Sequence, residues 1–320
     1  MAENIYIDTD CGVDDAVAIM LALSSPEVSL KGVGCVAGNT CLDNVVNNVC
    51  GLLAFYDRQD IPVYRGCSTS LTRIKHDSSG IHGENGFGNV VLDKKGKDVE
   101  SQNAAEGLYL TAKANPGLKL VTLGPLTNIA VAFNLYPELN ELVSEIIMMG
   151  AAIGRGNVTP FAEFNFFFDP EAAAFCLGTG LPVKILTWDA TVAGMMPEAD
   201  FFDLGLSGVP AGDLFYKMQE VYVDFNERQR GSRVCGFPDP LTAACLIDSA
   251  VAVEKEEMYL KIILDHNDER RGASVRVNNP EEADGEAQVI MKCDLNRFSI
   301  LLKRIREKSP KTGDIRMMNE

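Results

Sequence analysis

The sequence predicts an α/β domain, single, with an open, mostly parallel sheet and flanking helices. Two observations predict the class: short apolar runs alternate with longer helical patterns through the first two-thirds of the chain, the pattern of βα repeats on a parallel sheet. The 320 residues are also 46% hydrophobic and 23% charged, which is enough apolar material for one sizeable core. A third supports a single unit, because no linker-like stretch divides the chain. The domain is expected over residues 1–308, with 309–320 as a frayed tail.

The first strand is read at Ile5–Ile7, a β-branched and aromatic run, followed by a helix over Val13–Leu23, where "VDDAVAIMLAL" opens acidic and continues apolar. A strand at Leu30–Val36 and a helix at Asn44–Phe55 repeat the unit. Ile61–Val63 is the next short strand. Residues from Arg65 to Gln102 then form the longest irregular stretch, rich in Gly, Ser and Asn, and loops of that length in a domain are functional or disordered. Regular alternation resumes with a helix at Ala104–Ala114, a strand at Leu118–Leu123, a helix at Asn128–Asn134 and a strand at Glu145–Met149. "AEFNFFFDPEAAAF" reads as a buried strand followed by a helix that Pro170 starts and Leu177 ends, with Val183–Leu186 as the strand after it. A further helix is expected from Ala211 to Arg228.

A net charge of −16 excludes the basic footprint that nucleic-acid phosphates require. The amino terminus "MAENIYI" lacks a signal-peptide pattern, and no apolar run approaches the roughly 20 residues that span a bilayer, so the expected compartment is the cytosol. Nine cysteines without a C-x-x-C pair are read as reduced and mostly buried.

Chemistry concentrates in "IYIDTDCGVDDAVAIMLAL", where Asp8, Asp10, Asp14 and Asp15 fall between the first strand and the first helix with no Lys or Arg among them. Ligands bind beyond the carboxyl ends of strands in open parallel sheets, and this is such an end. Two carboxylates about 4 Å apart repel by roughly 4 kcal/mol at an effective dielectric of 20, so the group needs a cation or donors to stay ionised. Oxygen ligands favour Ca²⁺ or Mg²⁺ over zinc. Helix capping accounts for one or two of the aspartates. "DTDCG" also approaches the D-x-D-x-T/V motif of haloacid-dehalogenase-type phosphatases, with Asp8 as nucleophile, although Gly12 stands where that motif has Thr or Val.

"DTDCGVDDAVAI" together with "AGNT" at 37–40, "HGENG" at 82–86, "LGPLTNIA" at 123–130, "MGAAIGRGNVTPFAEFNFFFDPEAA" at 149–173 and "DPLTAA" at 239–244 resembles the inosine-uridine-preferring nucleoside hydrolases. The resemblance runs in order from about Ile5 to Leu302. It implies a Rossmann-like sheet and hydrolysis of the N-glycosidic bond of ribonucleosides. It also implies Ca²⁺ held by Asp10, Asp15, the Leu123 carbonyl and Asp239, with a bound water activated by Asp10. Asp14, Asn157, Glu163, Asn165 and Asp239 would bind the ribose, and Asn39 would contact ribose or the attacking water, whereas Asn128 reads as a structural turn residue. Glu163 and Asn165 are expected on one strand face, and Phe166, Phe167 and Phe168 in the core rather than against a base. A nucleoside substrate and a homodimer or homotetramer follow from the same resemblance.

The pattern departs at Pro238, where many pyrimidine-competent relatives place a His that protonates the leaving base. Candidates on the base side are His82, Ile153, Phe164, Tyr222 and Arg233, with Arg228 and Arg230 as further cationic donors and Trp188 as either site or packing. His76 and His266 are expected in solvated loops. A purine takes a proton at N7 without a positioned donor, so the sequence favours purine nucleosides; a pyrimidine or non-specific hydrolase and a non-catalytic nucleoside-binding protein are the alternatives.

Overall fold

The computed structural model describes residues 2–73 and 81–318. Its strands, in chain order, are β1 (Glu3–Thr9), β2 (Val28–Cys35), β3 (Val63–Arg65), β4 (Val90–Leu92), β5 (Leu118–Thr122), β6 (Val143–Met149), β7 (Val183–Leu186), β8 (Met196–Pro197), β9 (Val234–Cys235), β10 (Ala252–Ile262), β11 (Ser274–Val277), β12 (Gly285–Cys293) and β13 (Ile315–Met317). Nine of them form one sheet in the order β11-β10-β12-β7-β6-β5-β1-β2-β3. Neighbours from β3 across to β12 run parallel. Antiparallel pairing adds β10 and β11 at one edge.

Parallel strands covered on both faces read as continuous apolar runs, and "IIMM" at the end of β6 is buried throughout. Helices Val13–Ser24, Leu42–Phe55, Pro238–Ile247 and Leu295–Glu307 pack on one face; Ala104–Ala114, Thr127–Leu135 and Pro170–Leu177 pack on the other. Helix Val13–Ser24 is buried almost all round, which its unbroken "AVAIMLAL" requires. No helix among the described residues is long and apolar enough to cross a membrane.

β1 lies between β2 and β5, so the chain leaves it in one direction and crosses back over it in the other. A crevice opens at such a reversal, beyond the carboxyl ends of the two strands. The backbone N–H of Leu123, just past β5, donates to the carbonyl of Asp8 at 2.8 Å and pins the two ends together.

Several expectations shift. The third strand begins at Val63 rather than Ile61, because Pro62 has no N–H to give to the ladder. Residues 164–168 form a short helix in place of the expected strand, since Glu163 caps its amino end with bonds from the N–H groups of Asn165 and Phe166. The tail does not simply fray: Ile315–Met317 pairs antiparallel with β4 as β13. The strands after Leu186 escaped the reading, β10 because its charged, exposed first half hides the apolar alternation that follows. His76 lies outside the described residues, and His266 is exposed.

Asp8 is buried and does not serve as an open nucleophile. Its Oδ2 accepts from Asn128 Nδ2 at 2.9 Å, and Asn128 also donates to the Cys35 carbonyl and accepts from the Cys67 N–H, so it ties β1 to β2 and to the segment after β3. Burial pushes the Asp8 carboxyl up to about 8, against which the Asn128 hydrogen bond acts. A carboxyl whose folded value is raised is most stabilising when protonated in both states, and stability drains away as pH climbs from its ordinary 3.8 towards 8. Asp8→Asn is therefore expected to flatten part of that slope, gaining several degrees of melting temperature over the wild type at pH 8 but not at pH 4, read by thermal denaturation across the range.

Candidate active site

Four aspartates converge at the crevice. Asp10 follows β1; Asp14 and Asp15 occupy the first turn of helix Val13–Ser24; Asp239 occupies the first turn of helix Pro238–Ile247. Cys11, between Asp10 and Gly12, has a left-handed backbone at φ 32°, a conformation that costs a non-glycine residue on the order of 1–3 kcal/mol. Its N–H donates to Thr9 Oγ1 at 3.0 Å and its carbonyl accepts from Asn48 at 3.3 Å, which hold the turn. All four carboxylates are buried at the crevice.

Asp15 is fully engaged: Oδ1 accepts from Thr9 Oγ1 at 2.5 Å, while Oδ2 accepts from the Gly12 N–H at 2.8 Å and Asn39 Nδ2 at 3.1 Å. Asp10 accepts the Asn39 N–H on Oδ2 at 2.7 Å. Its other oxygen, with one oxygen each of Asp14 and Asp239, is buried and has no hydrogen-bond partner. Burial first, and the Asp15 charge second, push the carboxyls of Asp10, Asp14 and Asp239 up, that of Asp14 to about 8.

Such a set calls for a cation. One oxygen each of Asp14, Asp15 and Asp239 lies within 4.8 Å of the others, and the unpartnered oxygens and all-oxygen donors suit a hard divalent ion. Room for the carboxylates is made by glycine. A Cβ at Gly38 would stand 2.1 Å from Asp10 Oδ2, and one at Gly124 would stand 2.8 Å from Asp10 Oδ1.

A cavity of about 160 Å³ opens over the cluster. Of the residues expected at the metal, the ribose and the base, Asp14, Asn39, His82, Leu123, Asn157, Glu163, Phe164, Asn165, Tyr222 and Asp239 line it. Asp10 and Asp15 are fully buried beside these. Glu163, buried, is held by backbone N–H groups and its carboxyl is pushed up to about 7 by burial. Asn165 donates to the carbonyls of Leu123 at 2.8 Å and Met149 at 3.2 Å, fixing the carbonyl that follows β5. Phe166 and Phe168 are core residues as expected, and Phe167 is half-buried.

Two base-side candidates do not line the cavity. Ile153 does not line the cavity; it packs against the core, with its N–H bonded to Asp189. Arg233 is likewise absent from the cavity, its guanidinium consumed by Glu198, Asp224 and Glu227 at 2.6–2.8 Å. His82 lines the cavity, yet its Nδ1 accepts the Val13 N–H at 3.3 Å and burial lowers its value to about 4, so the ring is neutral near pH 7. Its 3.6 Å approach to Asp14 is therefore not an ion pair at that pH. It stacks on Tyr222, centroids 6.1 Å apart.

Phe225, Asn226 and Arg230 also line the cavity, as do Trp188 and Pro238. Arg230, Trp188 and Pro238 were singled out from the sequence; Phe225 and Asn226 were not, although positions 222, 225, 226 and 230 share one face of a helix.

A profile of the family described as "Inosine-uridine preferring nucleoside hydrolase" matches residues 5–299. The pyrimidine-specific ribonucleoside hydrolase RihA of Salmonella arizonae is 34% identical over 249 residues, 77% of this chain and 80% of that protein. RihA of an Enterobacter species is 34% identical over 81% of this chain and 86% of its own. Among solved structures, a plant nucleoside hydrolase superposes with a TM-score of 0.88 at 28% identity, covering 96% of this chain and 99% of that one. A purine-preferring ribonucleoside hydrolase from Gardnerella vaginalis gives 0.87 at 27% identity with the same coverage.

Two outcomes are expected of the cluster. Divalent cation at a hundred times its dissociation constant adds about 2.7 kcal/mol to the stability of chelator-treated protein, and the increment shrinks as pH falls and protons compete for the raised carboxyls of Asp10 and Asp239; thermal denaturation with and without Ca²⁺ measures it. Gly38→Ala, which crowds Asp10, weakens metal affinity by about 10–100-fold by calorimetric titration.

Proposed function

The chain belongs to the inosine-uridine preferring nucleoside hydrolase family, N-glycosyl hydrolases of nucleosides, and from that premise we propose a Ca²⁺-dependent ribonucleoside hydrolase that prefers purine nucleosides and releases ribose and free base. The observation that carries the proposal is the set of unpartnered carboxylate oxygens of Asp10, Asp14 and Asp239 beside a cavity lined by both polar and aromatic side chains. Asp10, Asp15, the Leu123 carbonyl and Asp239 would hold the cation, which when bound supplies Lewis-acid polarisation of water and sugar hydroxyls.

The chain's own groups do the rest. Asp10 accepts the proton of the attacking water, oriented by the Asn39 N–H that fixes its other oxygen. Asp14 accepts a ribose 2′-hydroxyl, while Asn157 and Glu163 take the 5′-hydroxyl, and Asn165 and Asp239 contact the ring hydroxyls. Negative charge around the sugar stabilises the oxocarbenium character of the transition state. Phe164 and Tyr222 confine the base.

Purine preference rests on the leaving group. Pro238 carries no proton to give, and His82 is neutral, so no imidazolium serves a departing pyrimidine. A purine accepts its proton at N7 from solvent. The second reading, a pyrimidine-cleaving enzyme, is favoured by the 34% identity to pyrimidine-specific relatives. A cytosolic homodimer or homotetramer acting in nucleoside salvage completes the proposal.

Release of free base from adenosine, guanosine, inosine, uridine and cytidine, with Ca²⁺ and after chelation, tests it. Calcium-dependent release faster from the purines is expected. Faster release from uridine or cytidine would replace the purine reading with the pyrimidine one, and no release from any of the five would reject the hydrolase.

A further inference from the structure

We propose that Arg230 reads the base edge and makes the enzyme favour 6-oxopurine nucleosides, inosine and guanosine, over adenosine. The inference rests on the cavity being a nucleoside site. Arg230 closes helix Pro210–Arg230 and lines the cavity on the same helix face as Tyr222 and Asn226. Its guanidinium carbon stands 6.0 Å from the centroid of the Trp188 ring, and its Nε donates to Asn226 Oδ1 at 3.1 Å. Trp188 is itself anchored, its backbone N–H bonded to the Ala151 carbonyl at 3.0 Å and its side chain buried. The Trp188 ring on one side and the Nε bond to Asn226 on another orient the exposed guanidinium.

What the fork addresses is the unanswered part. Neighbouring Arg233 is saturated by three carboxylates, whereas Arg230, in a chain of net charge −16, makes no ion pair among the described residues. Two parallel N–H donors suit two adjacent acceptors. The O6 and N7 atoms of hypoxanthine and guanine are such a pair, while adenine presents its N6 amino group, a donor, beside N7.

The same contact helps the reaction. As the C1′–N9 bond breaks, its electron pair leaves with the base, the water oxygen bonds to C1′, the water proton passes to Asp10, and the departing base takes a proton from solvent. Charge that spreads onto O6 and N7 before that proton arrives is met by the cationic fork. Pro238, which also lines the cavity, has no N–H or O–H to supply this.

The experiment compares kcat/KM of wild type, Arg230→Gln and Arg230→Lys on inosine, guanosine, adenosine and 4-nitrophenyl riboside, whose leaving group needs no donor. Arg230→Gln is expected to lose about 10–100-fold more on inosine and guanosine than on adenosine or the nitrophenyl riboside. Arg230→Lys, with the charge but not the fork, should not restore the discrimination. Equal losses on all four substrates would overturn the proposal and leave Arg230 a structural partner of Trp188. Should the wild type cleave no nucleoside, the hydrolase reading fails separately, and equilibrium binding decides for Arg230: inosine must bind more tightly than adenosine and Arg230→Gln must erase the difference, whereas equal binding by the wild type rejects it.

Discussion

Repulsion among buried carboxylates that no basic side chain neutralises is the constraint on which the rest of this site depends. Each close pair costs roughly 4 kcal/mol at an effective dielectric of 20, and burial adds to it. The surrounding structure answers piecemeal. Thr9, the Gly12 N–H and Asn39 satisfy Asp15, and the Asn39 N–H satisfies half of Asp10. Oxygens on Asp10, Asp14 and Asp239 remain unanswered by protein. A hard divalent cation completes the balance more economically than protonation of all three.

Topology explains why the cluster stands where it does. β1 ends with Asp8 and Thr9, β5 ends just before Leu123, and the two strands are neighbours at the point where the chain reverses its direction across the sheet. The Asp8 side chain and Asn128 are consumed in joining β1 to β2, and the Asp8 carbonyl in accepting the Leu123 N–H. Asp10, two residues further along, keeps one buried oxygen without a protein partner, and the Leu123 carbonyl is held by Asn165. Structural and chemical aspartates thus sit two residues apart in sequence.

The base side follows a different logic. Its residues come from one helix face, Tyr222, Phe225, Asn226 and Arg230, with Trp188 after β7 and Phe164 from the short helix capped by Glu163. Aromatic surface dominates and proton donors are scarce. Solved relatives with high structural similarity include a purine-preferring enzyme, while relatives of higher sequence identity are pyrimidine-specific. Proteins described with different base preferences are thus similar to one and the same chain, in sequence or in fold.

Much of this was legible in the sequence. The alternation of apolar runs marked the parallel sheet, helices Ala104–Ala114 and Pro170–Leu177 and strand Val183–Leu186 fell on their boundaries, and the clustering of Asp8, Asp10, Asp14 and Asp15 located the site, because local periodicity and local charge are properties of neighbouring residues. Only the tertiary structure decided which aspartate is structural, that Arg233 is spent on Glu198, Asp224 and Glu227 while Arg230 faces the cavity, that His82 is neutral, and that residues 315–317 join β4. Those outcomes depend on partners brought together from distant parts of the chain, and on how completely they exclude water, neither of which is written in the order of adjacent residues.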